Sequence, residues 1–203
     1  APECFDALRP VVLDGHPNRI EAQRHALEGR GLSAEHALTD DWLNRTEPIT
    51  GVVISNEFFD ALPVHLVERR GDDLIECYVT TDESGALALG EGPPVNPAVP
   101  AYFERLGILP GEGARAEVGL ASVEAMRRLA TRVERGYVLT IDYGYEAREL
   151  YASWRKQGTL MAFRRHSPQP NQLDQPGLTD LTYHVDFTSL ARGAIESGEG
   201  WQA

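Results

Sequence analysis

The residues best suited to chemistry lie in one short segment, residues 55–65. Its sequence, Ser-Asn-Glu-Phe-Phe-Asp-Ala-Leu-Pro-Val-His, places an amide, Asn56, and two carboxylates, Glu57 and Asp60, around a pair of phenylalanines. Two large aromatic side chains in a loop are typical of packing or of a pocket wall. If residues 57–60 form a helical turn, both carboxylates lie on one face and could hold a guanidinium through paired hydrogen bonds. They could equally cap a following helix.

Polar residues directly follow three buried-strand candidates, which are residues 11–13, 51–55 and 137–141. The polar residues are Asp14, Asn56 and Asp142. Ligands of open α/β sheets bind in the crevice at the carboxyl ends of the strands, so these side chains can converge on one site. An acid between a strand and a helix often holds the hydroxyls of a ribose. The same residues could instead cap helices or start turns.

The elements that must position these side chains predict an α/β fold. Along the chain, a strand at 11–13, a helix over 18–30 with Asn18 as its N-cap, a loop that Asp40 and Asp41 follow, and a strand at 51–55 come one after another. This order is typical of a βαβ unit with parallel strands.

The middle of the chain has a different pattern. Apolar runs at 64–69, 74–80 and 86–89 alternate with polar turns and predict an antiparallel meander. Residues 90–100 contain four prolines and predict a loop. Residues 114–135 predict a single amphipathic helix that Gly136 ends. We therefore expect one domain over residues 1–203, with an insertion at about 64–112 that holds the meander and loop.

Composition excludes several classes of function. The 203 residues carry 19 basic and 31 acidic side chains, a net charge of −12, which argues against binding to nucleic acid. No apolar run approaches the roughly 20 residues that a membrane span needs. The two cysteines, Cys4 and Cys77, show no metal or redox spacing, and we expect free thiols rather than a disulfide. The histidines have no metal-ligand spacing, so we expect no metal.

Residues 56–64, Asn-Glu-Phe-Phe-Asp-Ala-Leu-Pro-Val, resemble the signature of the MidA family of S-adenosylmethionine-dependent methyltransferases. Mitochondrial members of that family are complex I assembly factors that methylate protein arginine. Further resemblances follow in order: Val12-Leu13-Asp14 with Gln23 and Leu27, Glu117-Val118, residues 136–145, Gly158-Thr159-Leu160, His166 and residues 180–187. The family usually has Glu where this chain has Asp14.

The resemblance implies a Rossmann-like methyltransferase fold that binds S-adenosylmethionine. It implies that Asp14 holds the cofactor ribose, that Asp40 or Asp41 lies near the adenine, and that Asn56 binds close to the transferred methyl group. The implied catalytic residues are Asn56, Glu57 and Asp60, whose carboxylates would orient a substrate guanidinium. The residues implied to line the substrate cleft are Asp142, His166 and His184, although each histidine could instead be structural.

One departure from the family pattern concerns the glycine-rich Glu-x-Gly-x-Gly loop, which in the family follows the first strand, upstream of the region that resembles this chain. Three Gly-Glu-Gly sequences begin at Gly90, Gly111 and Gly198, but none follows a buried-strand candidate. We expect the natural protein to extend upstream by roughly a helical bundle and that strand, and somewhat downstream of Ala203. The strand would lie between those that end at Asp14 and Asn56. If the chain were complete as it stands, we would expect impaired cofactor binding.

The resemblance favours a protein arginine methyltransferase whose partner is a protein substrate such as a respiratory complex I subunit. The alternative is a non-catalytic assembly factor or chaperone that keeps the fold and binds a partner protein. The expected location is the cytoplasm, or the mitochondrial matrix in a eukaryote.

Overall fold

The computed structural model describes residues 2–198 and 200–203, apart from the side chains of residues 2, 4 and 5. The chain divides into two compact units, residues 1–48 and 49–203. The first unit contains α1 (Pro2–Ala7), β1 (Val11–Asp14), α2 (Pro17–Glu28), β2 (Glu35–Leu38) and α3 (Thr39–Leu43). Strands β1 and β2 pair in parallel, so β1, α2 and β2 form a βαβ unit.

This βαβ unit differs from the predicted one in its second strand and in its helix cap. The second strand is β2, of sequence Glu-His-Ala-Leu, rather than residues 51–55. Four residues with only two apolar side chains give too weak a periodicity to be seen in the sequence. Helix α2 begins one residue earlier than predicted, with Pro17 at its first position and His16, not Asn18, as N-cap. The His16 imidazole accepts a hydrogen bond from the Asn18 backbone N–H.

The second unit contains a parallel pair, β3 (Ile49–Asn56) and β8 (Val133–Ile141). Asn56 and Ile141, the last residues of the two strands, are direct partners, so the strands end together. Gly136 adopts a φ of +145°, and a Cβ there would overlap the carbonyl oxygen of Gly51. Only glycine lets the two backbones approach this closely at that conformation.

One face of the β3–β8 pair is apolar and exposed. Its side chains are Val52, Ile54, Tyr137, Leu139 and Ile141, each at least half exposed. Parallel sheets are usually covered on both faces, and contiguous apolar surface of this kind marks a place where something else binds.

The middle of the chain forms an antiparallel sheet in the order β6-β5-β4-β7. Its strands are β4 (His65–Arg70), β5 (Asp73–Thr81), β6 (Leu87–Gly92) and β7 (Arg115–Val118). The helices of this unit are α4 (Ala98–Leu106), α5 (Leu120–Arg132), α6 (Ala147–Leu150) and α7 (Phe187–Ile195). The core joins Val67 and Val118 of the sheet to Val99, Tyr102 and Phe103 of α4.

The remaining strands lie in two small sheets. They are β9 (Gly144–Tyr145), β10 (Met161–Arg164), β11 (Ser167–Gln169), β12 (Asp180–Thr182) and β13 (Val185–Asp186). Strands β9 and β13 pair in parallel, and β10 lies between β11 and β12 in an antiparallel sheet.

Two predicted elements of this region were wrong. Residues 114–135 are not one helix, because 115–118 form strand β7 against β4 and the helix begins only at Leu120. The loop predicted at 90–100 is shorter, since β6 runs to Gly92 and α4 begins at Ala98. In both places the tertiary environment determines a structure that local periodicity leaves ambiguous.

Candidate functional site

The segment that follows β3 leaves the sheet through a conformation unusual for its residue type. Glu57 has a φ of +48° and is exposed, and its backbone N–H donates to the carbonyl of Ile141, at 2.9 Å. Left-handed backbone at a residue other than glycine costs free energy, and such strain is concentrated at functional sites. Residues 57–62 form bends and a turn, so the helical turn that would align Glu57 with Asp60 is not formed.

Asp142 folds this segment against the end of β8. Its Oδ2 accepts the backbone N–H groups of Phe58 and Phe59, at 3.2 and 2.9 Å, and its Oδ1 accepts that of Tyr143, at 3.0 Å. Burial raises the pKa of Asp142, and the charge of Asp60 adds to this, although the backbone hydrogen bonds oppose it. With its oxygens used by backbone donors, Asp142 positions the loop; its predicted role in substrate binding stays a prediction.

Asp60, three residues after Glu57, is buried. Its Oδ2 accepts the hydroxyl of Thr182, at 2.7 Å, and its backbone carbonyl accepts the N–H of Tyr183, at 3.1 Å. The neighbouring Phe59 is fully buried and meets Phe58 edge to face, with ring centroids 4.9 Å apart. The aromatic pair therefore anchors the loop, while Asp60 lines a cavity of about 400 Å³.

Tyr183 lies near the acidic residues Asp142 and Asp60. Its hydroxyl lies 2.6 Å from the Ser122 hydroxyl. Burial, with the nearby charges of Asp142 and Asp60, raises the pKa of Tyr183 to about 12, even though the bond to Ser122 opposes the shift. The phenol therefore stays protonated at neutral pH and remains a hydrogen-bond donor.

His184 lies beside this cluster, next to the ring of Tyr145, with ring centroids 5.4 Å apart. Burial, and then the charge of Arg155, lowers the pKa of His184 below its ordinary value. Its Nδ1 is buried and makes no hydrogen bond within the described part of the chain. A neutral imidazole with a free nitrogen can accept a proton.

This environment predicts a pH dependence of stability. A histidine whose pKa is lower in the folded than in the unfolded chain binds its proton less readily when folded. Its contribution to the free energy of unfolding is therefore fully present above about pH 6.5 and is lost as the pH falls. We expect the melting temperature of a His184→Gln variant to fall less than that of the wild type between about pH 7.5 and about pH 5.5. Thermal scans at both pH values measure the difference. A matched His166→Gln control should behave as the wild type does.

His166 occupies a different setting. It is exposed, with a φ of +62°, and follows Arg165, with a φ of +52°, in the two-residue turn that joins β10 to β11. Two successive left-handed residues are what a tight hairpin turn requires. His166 is not among the residues that line the cavity beside Asp60, and its predicted role in the substrate cleft stays a prediction.

Asp14, Asp40 and Asp41 lie in the first unit, at the carboxyl edge of its parallel pair. Asp14 ends β1 opposite Leu38, the last residue of β2, and Asp40 and Asp41 are exposed in the first turn of α3. Asp14 accepts the His16 backbone N–H, Arg19 Nε and Gln23 Nε2, at 2.9, 2.7 and 3.1 Å. Burial alone would raise the pKa of Asp14, but the bonds from Arg19 and the others outweigh it and lower that pKa, so this carboxylate is ionised.

Sequence reasoning gave no role to one buried carboxylate of the second unit. Glu117 is buried and accepts the backbone N–H groups of Thr159 and Leu160 and the Thr159 hydroxyl, at 2.9–3.0 Å. The Thr159 hydroxyl in turn accepts the backbone N–H of His184, at 3.0 Å. Glu117 therefore fixes the segment on which His184 depends. A polar residue inside the buried run Ala116–Val118 was the available signal.

The comparisons with known proteins agree with this architecture. A family model described as "Putative S-adenosyl-L-methionine-dependent methyltransferase" matches residues 1–202. The chain belongs to this family. A protein from Burkholderia thailandensis, described as a "likely methyl transferase" and bound to S-adenosyl-homocysteine, superposes with a TM-score of 0.81 at 31% identity, over 94% of this chain and 48% of that one. The family and this neighbour give the chain a Rossmann-like methyltransferase fold, as predicted.

Curated relatives carry more specific names. The mitochondrial "Protein arginine methyltransferase NDUFAF7 homolog" of Caenorhabditis elegans is 31% identical over 148 residues, which are 69% of this chain and 32% of the relative. The Danio rerio mitochondrial protein arginine methyltransferase NDUFAF7 is 29% identical over 201 residues, 92% of this chain and 43% of the relative. The chain thus spans less than half the length of these relatives.

Within residues 2–198 and 200–203, no group of three His, Cys, Asp or Glu side chains is placed to hold a metal ion. No helix in that part of the chain has the length and apolarity needed to span a membrane. Cys77 is a free thiol, and the side chain of Cys4 lies outside the described residues.

Proposed function

We propose that the protein containing this chain transfers a methyl group from S-adenosylmethionine to an arginine side chain of a protein substrate. The observation that carries the proposal is that a strained residue, Glu57, and a buried carboxylate, Asp60, follow the carboxyl end of a parallel strand in a chain of this family. The names of the relatives support arginine as the acceptor. Carboxylates are the groups that hold a guanidinium in a fixed orientation.

The residues of the first unit fit the sugar of the cofactor. An ionised carboxylate such as Asp14 accepts hydroxyl hydrogen bonds, and its present partner Arg19 is 69% exposed and free to move aside. Asp40 and Asp41 stand at the same edge of the β1–β2 pair, where we place the adenine. In the second unit, we place Asn56 near the transferred methyl group.

The residues around Glu57 then orient the acceptor arginine. When bound, S-adenosylmethionine supplies a methyl carbon made electrophilic by its positively charged sulfur. Glu57 and Asp60 accept guanidinium N–H groups and so direct one nitrogen lone pair along the line of displacement. The proton lost from that nitrogen passes to a carboxylate or to the neutral imidazole of His184.

Calorimetry of the full-length protein with S-adenosylmethionine tests this proposal. We expect saturable binding, weakened by Asp14→Ala. A complete lack of binding at millimolar cofactor would contradict the methyltransferase assignment and favour a non-catalytic assembly factor that binds a partner protein.

The partner and compartment are also proposals. The relatives are named as mitochondrial proteins. We propose the mitochondrial matrix for a eukaryotic source, with a respiratory complex I subunit as the candidate substrate, and the cytoplasm otherwise.

A further inference from the structure

An apolar cavity opens beside Asp60, and its apolar walls have no part in the chemistry described above. Its volume is about 400 Å³, which is within the range of cavities that bind small ligands or side chains. The walls include Leu62, Val64, Val79, Leu89, Leu160 and Leu181. Three of these side chains, Val79, Leu89 and Leu181, are 39–60% exposed, so the cavity is open to solvent. Filling it with an apolar group would remove this surface from water.

Two edge strands that contribute residues to the cavity wall point to a polypeptide as the occupant. Leu89 belongs to β6, one of the two edge strands of the four-stranded sheet, and Leu181 belongs to β12, an edge strand of the β11-β10-β12 sheet. Edge strands present unpaired backbone N–H and C=O groups, which an extended peptide can satisfy. Apolar walls between two such edges match a peptide whose side chain enters the cavity.

The charge of the cavity lining indicates that the peptide also carries a positive charge. Asp60 and Tyr183 are polar wall residues, while no Arg, Lys or His is found among the residues that line the cavity. An anionic ligand would meet the Asp60 carboxylate without a compensating cation. A segment that carries a cation next to an apolar side chain complements both features.

We propose that this cavity receives an apolar side chain of the substrate protein, next in sequence to the arginine that is methylated. This inference rests on the proposed function, because Asp60 is taken to face the acceptor guanidinium. The cavity then selects Arg-Leu-type sequences over sequences in which alanine or aspartate follows arginine.

Cys77 provides a direct measure of occupancy, since its side chain lines the same cavity. Burial raises the pKa of the Cys77 thiol, so alkylation of Cys77 is slow but measurable at alkaline pH. The full-length protein is alkylated with iodoacetamide, and mass spectrometry follows the fragment that contains Cys77. We expect an Arg-Leu peptide to slow its modification about tenfold and the matched Arg-Ala peptide to have little effect. Equal protection by both peptides, or protection by decanoate instead of peptide, would overturn the proposal.

Methylation kinetics give the second measurement. Val79→Asp should raise KM for the Arg-Leu peptide about tenfold or more and leave kcat unchanged. The matched control is Leu87→Asp, an exposed leucine of β6 that does not line the cavity. An unchanged KM in Val79→Asp would contradict the inference. If no peptide is methylated but the Arg-Leu peptide still protects Cys77, the proposed function fails and the cavity assignment survives as a peptide site.

Discussion

The Glu57→Gln, Asp60→Asn double variant is expected to lose arginine methylation by about 100-fold or more, while the Kd for S-adenosylmethionine changes by less than about threefold. Both substitutions preserve side-chain size and remove the negative charges that would hold and deprotonate a guanidinium. Asparagine can still accept the Thr182 hydroxyl through its amide oxygen, so the loop should keep its fold. Methylation of an arginine peptide and calorimetry of the cofactor measure the two quantities.

The single variants separate the two carboxylates. Glu57 is exposed and strained, so Glu57→Gln should act on kcat, whereas Asp60 is buried and lines the cavity, so Asp60→Asn should also raise KM. The matched control is Glu83→Gln, in the exposed turn between β5 and β6. If methylation and cofactor affinity fell together in the double variant, these residues would belong to the cofactor site or to folding.

The sequence was sufficient to predict that polar residues lie at the carboxyl ends of parallel strands. Asn56 and Asp142 were predicted to follow strands whose carboxyl ends meet, and β3 and β8 do end side by side. Asp14 likewise ends a strand of a parallel pair. These predictions depend only on apolar runs and the residues that follow them, which are local properties of the chain.

The orientation of those side chains could not be predicted, because distant residues determine it. Asp142 accepts the backbone N–H groups of Phe58 and Phe59, which lie more than 80 positions earlier in the chain. These bonds bend the segment after β3 and leave Glu57 exposed while Asp60 is buried. A helical turn would have placed both carboxylates on one face. Similarly, pairing with β4 makes residues 115–118 a strand, although their spacing also fits a helix.

Glu117→Ala is expected to have the largest effect on stability, about 3–5 kcal/mol of the free energy of unfolding. The substitution leaves two backbone N–H groups and the Thr159 hydroxyl without their acceptor in a buried setting. Urea unfolding measures the loss from the shift in midpoint, provided that the slope is unchanged. A loss below about 1 kcal/mol would mean that water replaces the carboxylate at this position.

The adjoining Gly158 makes the explanation testable by a double-mutant cycle. Gly158 has a φ of +68°, and a Cβ there would overlap Glu117 Oε1, so Gly158→Ala adds a clash to the cost of left-handed backbone. In the Glu117→Ala background the clash is gone, and Gly158→Ala should cost only the backbone term. Gly177→Ala, with a φ of +83° and no neighbouring atom within 4 Å of the added Cβ, measures that term alone. If the losses of stability caused by Gly158→Ala and Glu117→Ala simply add, the two residues do not interact. A Gly158→Ala cost that falls to the Gly177→Ala value when Glu117 is removed would identify the carboxylate as the group that requires glycine here.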